Sequence, residues 1–180
     1  MTNIPASEQP AQGLTPAAWR YLIVDQGLIA IGVNFLINYL IARSAFAELK
    51  VVPLHGPLSI AEDIAATCFF LPFIACLIVS HLTGFEIRKG KFPALPPFRF
   101  ARYLGEYLSQ SIFPRALMFG ILGRFLVAPV AIAAVEASGV QSLPLSTFLI
   151  FKGAFASALG IVACPLFAWI AMHQAKPAPK

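Results

Sequence analysis

Residues 147–173 read TFLIFKGAFASALGIVACPLFAWIAMH and decide the fold class of this protein. Lys152 is the only Lys, Arg, Asp or Glu residue in this stretch. An α-helix needs about 20 predominantly apolar residues to cross the hydrocarbon core of a bilayer. We therefore predict a transmembrane helix from about Thr147 to His173.

Three further stretches have the same character. The whole chain is 58% hydrophobic and only 12% charged, with a mean hydropathy of +0.77. Soluble domains carry about 25% charged residues, roughly twice that share. The sequence therefore predicts an all-α integral membrane protein, a four-helix bundle. Its other spans are expected at about Trp19–Ala42, Leu58–Leu82 and Ile112–Ala137.

The polar segments divide the chain into two predicted transmembrane hairpins, at residues 18–82 and 111–174. A cytoplasmic tail at 1–17 is too poor in apolar residues to order itself. A basic connector at 83–110 joins the hairpins, and a short tail at 175–180 ends the chain.

The remaining connectors are shorter. Pro53, Gly56 and Pro57 favour a turn after the first span. Residues 138–146 leave room only for a tight reversal. In the central connector, residues 99–110 place aromatic and leucine side chains at helical spacing, which fits an amphipathic surface helix. A solvated linker fits that segment equally well.

Orientation follows from the basic residues of the connectors. The central connector is rich in Lys and Arg, whereas the first holds little and the last holds none. Positive residues are retained on the cytoplasmic side of a membrane. We therefore expect the central connector and both termini to be cytoplasmic. The residues that decide this are Arg88, Lys89, Lys91, Arg99 and Arg102.

The two halves of the chain resemble each other. Val52-Pro53-Leu54 precedes the second span, and Leu143-Pro144-Leu145 precedes the fourth. Both spans then contain a proline and end on a histidine, at positions that differ by 91 to 93 residues. Each half contains an even number of spans, so both halves would have the same orientation in the membrane. This predicts a parallel repeat, with the halves related by an axis along the membrane normal. The matching pairs are Pro72 with Pro165 and His81 with His173.

The second half also resembles a known family. Residues 121–132 (ILGRFLVAPVAI) and 155–173 (FASALGIVACPLFAWIAMH) resemble short bacterial inner-membrane proteins built from a two-helix hairpin. The resemblance covers about residues 115–175, is strongest at residues 163–165, and reaches the first half only through the repeat. It implies a bacterial inner membrane and a hairpin architecture. The family has no established activity, so the resemblance implies no mechanism and no site residues.

Ionisable residues inside spans are candidate functional residues, because a charge in the bilayer is costly. Arg124 lies midway along the third span and should face another helix. Asn34 falls at the same depth under the repeat and shares a helix face with Asn38, so an Arg124–Asn34 pair is expected. Asp25 lies nearer the cytoplasm, where Arg115 or Arg20 is closer to it in depth.

A second charged layer is expected on the opposite side of the membrane. Glu62 and Asp63 enter the second span at nearly the position that Lys152 has in the fourth, which predicts a salt bridge between the hairpins. Glu136 is also expected within reach of Lys152. These polar layers either pair the hairpins or form a path for a proton, an ion or a small solute.

Small residues at helical spacing predict close helix packing. They form two sets. One comprises Ala116, Gly120 and Gly123, and the other comprises Gly153, Ala156, Ser157 and Gly160.

Catalysis and cofactors have little support in the sequence. His81 and His173 could in principle ligate a haem between facing helices, but a histidine at a helix C-terminus is commonly an interface residue. We expect no metal, no cofactor and no enzyme activity. Anionic lipid explains the basic connector without nucleic acid.

These observations favour a small, non-enzymatic inner-membrane protein. It is expected to act by helix–helix association with itself or with a larger membrane complex. The alternative is an oligomeric permease or exporter that uses the buried charges.

Overall fold

The computed structural model describes residues 13–95 and 111–174, which form four long helices and two short strands. Each helix is long and apolar enough to cross a membrane, so the predicted helical fold with four helices of spanning length is confirmed. Much of the N-terminal tail, the segment at 99–110 and the tail from residue 175 lie outside the described residues. The elements are α1 (Pro16–Ala45), β1 (Val51–Pro53), α2 (Ile60–Arg88), α3 (Ile112–Ala137), β2 (Ser142–Pro144) and α4 (Leu145–Gln174).

The helix boundaries follow from local capping. Thr15 accepts a hydrogen bond from the Ala18 N–H (3.2 Å), and Pro16 occupies the first turn of α1. Ser59 caps α2 by accepting from the Glu62 N–H (3.3 Å). At its other end, α2 continues beyond Leu82 to Arg88. The helix therefore extends into the segment predicted as the central connector.

Two helices contain wider π-helical turns, at Tyr21–Leu28 in α1 and Gly123–Val127 in α3. The turn in α3 precedes Pro129, which has no N–H to donate to the preceding turn. A π-turn accommodates such a missing bond without ending the helix. Pro72 and Pro165 lie inside α2 and α4, and both helices continue through them.

The four helices pack in the spatial order α1, α4, α2, α3. Among the described residues, the consecutive pairs α1–α2 and α3–α4 share few direct contacts, so the predicted hairpins are not the packing units. Within an 18-residue apolar stretch of each helix, 44% is buried in α2 and in α4, compared with 6% in α1 and 11% in α3. α2 and α4 are therefore the central pair, and α1 and α3 flank it.

The connectors next to the central pair form an antiparallel two-stranded sheet. Val52 pairs with Leu143, and the Leu145 N–H donates to the Lys50 carbonyl at 3.0 Å. Val52 is fully buried beneath the sheet. A turn and a tight reversal were predicted here instead, because two strands in separate connectors become visible only once α2 and α4 lie side by side. We call this end of the bundle the strand end.

The opposite end, which we call the connector end, carries the start of the central connector. Phe92 and Leu95 are buried there, and the Leu95 N–H donates to the Met172 carbonyl at 2.9 Å. The Phe92 ring lies 5.0 Å from that of Tyr21. These contacts bring α1, α2 and α4 together at one level.

Candidate functional site

The best-enclosed ion pair of the described residues joins the two central helices near the strand end. Lys152 Nζ in α4 lies 2.7 Å from Asp63 Oδ1 in α2, and the side chains are 5% and 11% exposed. Lys152 also donates to Thr67 Oγ1. The structure therefore contains the salt bridge between Lys152 and Asp63 that the spacing of the repeat predicted.

The hydrogen bonding of this cluster extends into the backbone. Thr67 Oγ1 donates to the Asp63 carbonyl at 2.6 Å, one helical turn back along α2. The second carboxylate oxygen, Asp63 Oδ2, is buried and has no hydrogen-bond partner among the described residues. The cluster thus fixes the register of α2 against α4 and leaves one acceptor unused.

Glu62 and Glu136 do not join the cluster. Glu62 is exposed, and its Oε2 accepts from the Leu58 N–H at 3.1 Å as part of the α2 cap. Glu136 Oε1 lies 2.9 Å from His55 Nε2 at the exposed strand end. The expectation that Glu136 contacts Lys152 is wrong, because Lys152 turns into the α2–α4 interface while Glu136 lies at the surface.

A second polar group lies toward the connector end. Arg115 is 3% exposed and donates from its guanidinium to Ser80 Oγ at 2.8 Å, which ties α3 to α2. Asp25 was expected to lie closer in depth to Arg115 or Arg20 than to Arg124. Its carboxylate instead lies 3.6 Å from Lys91 Nζ, which also contacts Glu86 at 2.9 Å. The Glu86 carboxylate, with a smaller contribution from Asp25, raises the pKa of Lys91.

The small residues of α4 pack against α1. A Cβ placed on Gly153 would lie 2.7 Å from the Phe35 ring, and one on Gly160 would overlap the Asn34 amide. Ser157 lies between these two glycines in α4. Its hydroxyl donates to the Ile31 carbonyl of α1 and to the Gly153 carbonyl of its own helix, both at 2.9 Å.

The small residues of α3 pack against α2 in the same way. A Cβ on Gly120 would lie 3.0 Å from the Phe69 carbonyl, and one on Gly123 would overlap the Cys68 carbonyl. Both predicted small-residue faces are therefore contact faces. The α3 face meets backbone, which cannot move aside as a side chain can.

Arg124 does not pair with Asn34. Asn34 lies against Gly160 on α4, and the Asn38 amide donates to the Asn34 carbonyl at 3.0 Å. Arg124 lies on the exposed side of α3, and among the described residues it makes no hydrogen bond or ion pair. The expected pair fails because α1 and α3 occupy opposite flanks of the central helices.

The two histidines do not form a shared site in the described residues. His81 is exposed on α2, whereas His173 packs edge-on against Trp169 of its own helix, with ring centroids 5.1 Å apart. An apolar groove of about 430 Å³ lies between α1 and α4, and neither histidine lines it. No group of three or more His, Cys, Asp or Glu side chains able to hold a metal occurs in the described ranges.

Sequence reasoning missed several partners that the fold supplies, namely Thr67, Ser80, His55 and Lys91. Thr67 could have been found, because it lies one helical turn from Asp63 on the same face. Comparison of the chain with protein-family models, with curated proteins and with solved structures finds no match.

Proposed function

We propose that this protein has no catalytic activity of its own and acts by associating, within the bilayer, with another membrane-spanning chain. That chain is a second copy or a component of a larger complex. The observation that carries the proposal is Arg124, an exposed charged residue midway along α3 with no hydrogen bond or ion pair among the described residues.

An arginine at the centre of a spanning helix costs about 2.5–3.5 kcal/mol on insertion scales, and such residues usually face a bundle interior or a polar cavity. Arg115 and Lys152 follow that rule inside this chain, where each has a hydrogen-bonded partner. Arg124 follows the rule only if another chain covers the outer face of α3.

The membrane and its sides form part of the same proposal. The resemblance over residues 115–175 favours a bacterial inner membrane, and the basic connector favours a cytoplasmic position for both termini. A connector rich in Lys and Arg is also attracted to anionic lipid.

Native mass spectrometry of the protein, extracted gently from its own membrane, tests the association. A particle that contains this chain with further protein subunits at fixed stoichiometry is expected. A monomer with lipid only, from membranes in which cross-linking before extraction also traps no protein neighbour, would contradict the proposal.

A second candidate function is a permease or exporter for a proton, an ion or a small solute. It is favoured by one observation, the buried Lys152–Asp63–Thr67 cluster with its unused Asp63 Oδ2. A four-helix chain is small for a complete path, so this function also requires an oligomer. Purified protein in vesicles should then carry a flux that Asp63→Asn abolishes while the protein remains folded, and no flux in such vesicles would argue against it.

A further inference from the structure

We infer that the chain covering the outer face of α3 is a different protein, whose membrane-spanning helix places an Asp or Glu carboxylate against Arg124. This inference rests on the association proposed above and names the chemistry of the partner.

The depth of Arg124 sets the first requirement. It follows Ile112 by 12 residues and precedes Ala137 by 13, which at about 1.5 Å per residue places it roughly 18–20 Å from either end of α3. The hydrocarbon core is about 30 Å thick, so the residue lies near its middle. Snorkelling to the headgroups serves long side chains near helix ends. A group within the bilayer must therefore receive this charge.

A second copy of the chain does not offer that group from its described residues. The carboxylates of its spans lie toward the two ends: Asp25 and Glu86 contact Lys91 beyond α2, while Glu62, Asp63 and Glu136 belong to the strand end. Arg124, by contrast, is next to Gly123, which is level with Cys68 and Pro72 in the middle of α2.

Glu62 and Asp63 precede Cys68 by six and five residues, which is about 8–9 Å of depth along α2. Asp63 is enclosed against Lys152, and the Glu62 carboxylate accepts from the Leu58 N–H in the cap of α2.

Asp25, toward the other end, also falls short. Tyr21, one turn before it in α1, hydrogen bonds to Thr83 at 3.2 Å. Thr83 follows Pro72 by 11 residues in α2. Allowing one turn for Asp25 leaves about 10 Å of depth between Asp25 and Arg124. A parallel neighbouring copy would therefore not bring Asp25 to Arg124.

The symmetry of a homodimer also disfavours a second copy of this chain as the partner. A two-fold contact through this face would place the same patch on both subunits. Arg124 would then approach Arg124 in a low-dielectric medium, which is repulsive. A carboxylate on a different chain satisfies the guanidinium with two parallel N–H···O bonds, the geometry that arginine favours.

The exposed face of α3 defines where the partner lies. Leu117 and Ile121 precede Arg124 along one side of the helix, and Val127 follows it across the π-turn. All are exposed in this chain. A straight helix packed along this row would meet apolar side chains above and below a single charge, a pattern that fixes both register and partner choice.

The test uses the full-length tagged protein, extracted gently from native membranes, with quantitative mass spectrometry of the proteins that copurify. The variants are Arg124→Leu, Arg124→Lys and Arg124→Glu, with Arg43→Leu as the control, because Arg43 is an exposed arginine near a helix end. We expect Arg124→Leu to reduce one membrane-protein partner at least tenfold and Arg43→Leu to leave it unchanged. A basic residue in place of the partner's mid-span carboxylate should restore binding to Arg124→Glu.

A photo-crosslinker at Ile121 in the otherwise wild-type chain provides a readout that does not depend on the stability of the variants. It should label a span of a different protein that contains a mid-depth Asp or Glu, and the same probe at the exposed Ile37 of α1 should not. Labelling of this chain alone, or a partner retained in full by Arg124→Leu, would overturn the inference and leave the proposed association standing. A wild-type chain with no protein neighbour at all would overturn both.

Discussion

Lys152 and Arg124 are both basic residues within membrane-spanning helices, and the fold treats them in opposite ways. Lys152 turns into the α2–α4 interface, where Asp63 and Thr67 receive its charge. Arg124 is exposed on α3, with no ion pair in the described part of the chain. A buried pair is explained within one chain, whereas we propose that a second chain receives the exposed charge at mid-depth. The comparison separates residues that connect the helices of this fold from an exposed residue that we propose contacts another molecule.

Breaking the buried pair should have the largest effect on folding. Lys152→Met leaves Asp63 buried without its partner, which typically costs about 3–5 kcal/mol of unfolding free energy. The double variant with Asp63→Leu should recover most of that loss, since it removes both charges. Reversible unfolding in mixed micelles measures both. Arg124→Leu, measured alongside, should not lower the unfolding free energy, and a loss comparable to that of Lys152→Met would erase the distinction between the two residues.

The contact face of α3 should be sensitive where its charged face is not. Gly123→Ala places a methyl group against the Cys68 carbonyl, and such overpacking costs about 1–3 kcal/mol. Gly160→Ala should cost less, because the Asn34 side chain can move aside. Gly32→Ala is the matched control, with no atom within 4 Å of the new methyl group. Equal effects at all three positions in the same unfolding assay would show that helix propensity, and not packing, is being measured.

The bond between the flanking helix α1 and the central helix α4 should contribute less. Ser157→Ala removes the hydroxyl that donates to the Ile31 carbonyl, and hydrogen bonds between membrane helices average about 0.6 kcal/mol. Ser146→Ala, in the exposed first turn of α4, is the control. A loss above about 2 kcal/mol for Ser157→Ala alone would mean that the neighbouring Gly153 contact is disrupted as well.

The exposed ion pairs of Lys91 should have the smallest effect, at the low end of the range of about 0.2–1 kcal/mol for exposed pairs. Glu86 raises the pKa of Lys91 above its ordinary value of 10.5, so the stabilisation is complete below that pH. It is lost as the pH rises through the raised pKa. The difference in stability between wild type and Lys91→Met should therefore be constant at neutral pH and vanish only in strong alkali. A difference that disappears below pH 10 would contradict this assignment.

Several features of the site could be predicted because they depend on position along one helix. Asp63 follows Val52 by 11 residues and Lys152 follows Leu143 by 9, and the pairing of Val52 with Leu143 places these two reference points at one level. The small-residue faces were likewise readable from helical spacing. The Arg124–Asn34 pair was not, although the two residues lie at comparable depth, because depth says nothing about which helices are neighbours.

By itself the sequence determined that this chain forms four apolar helices with a basic connector, since the cost of bringing charges and unpaired backbone groups into lipid acts on each segment independently. It also determined which residues lie at each depth. Only the tertiary structure decided that α2 and α4 form the centre, that their preceding segments pair as strands, and that Arg124 faces outward. Those outcomes depend on which surfaces fit closely together, and in a bilayer, where lipid is as apolar as the helices, hydrophobicity alone does not choose between neighbours.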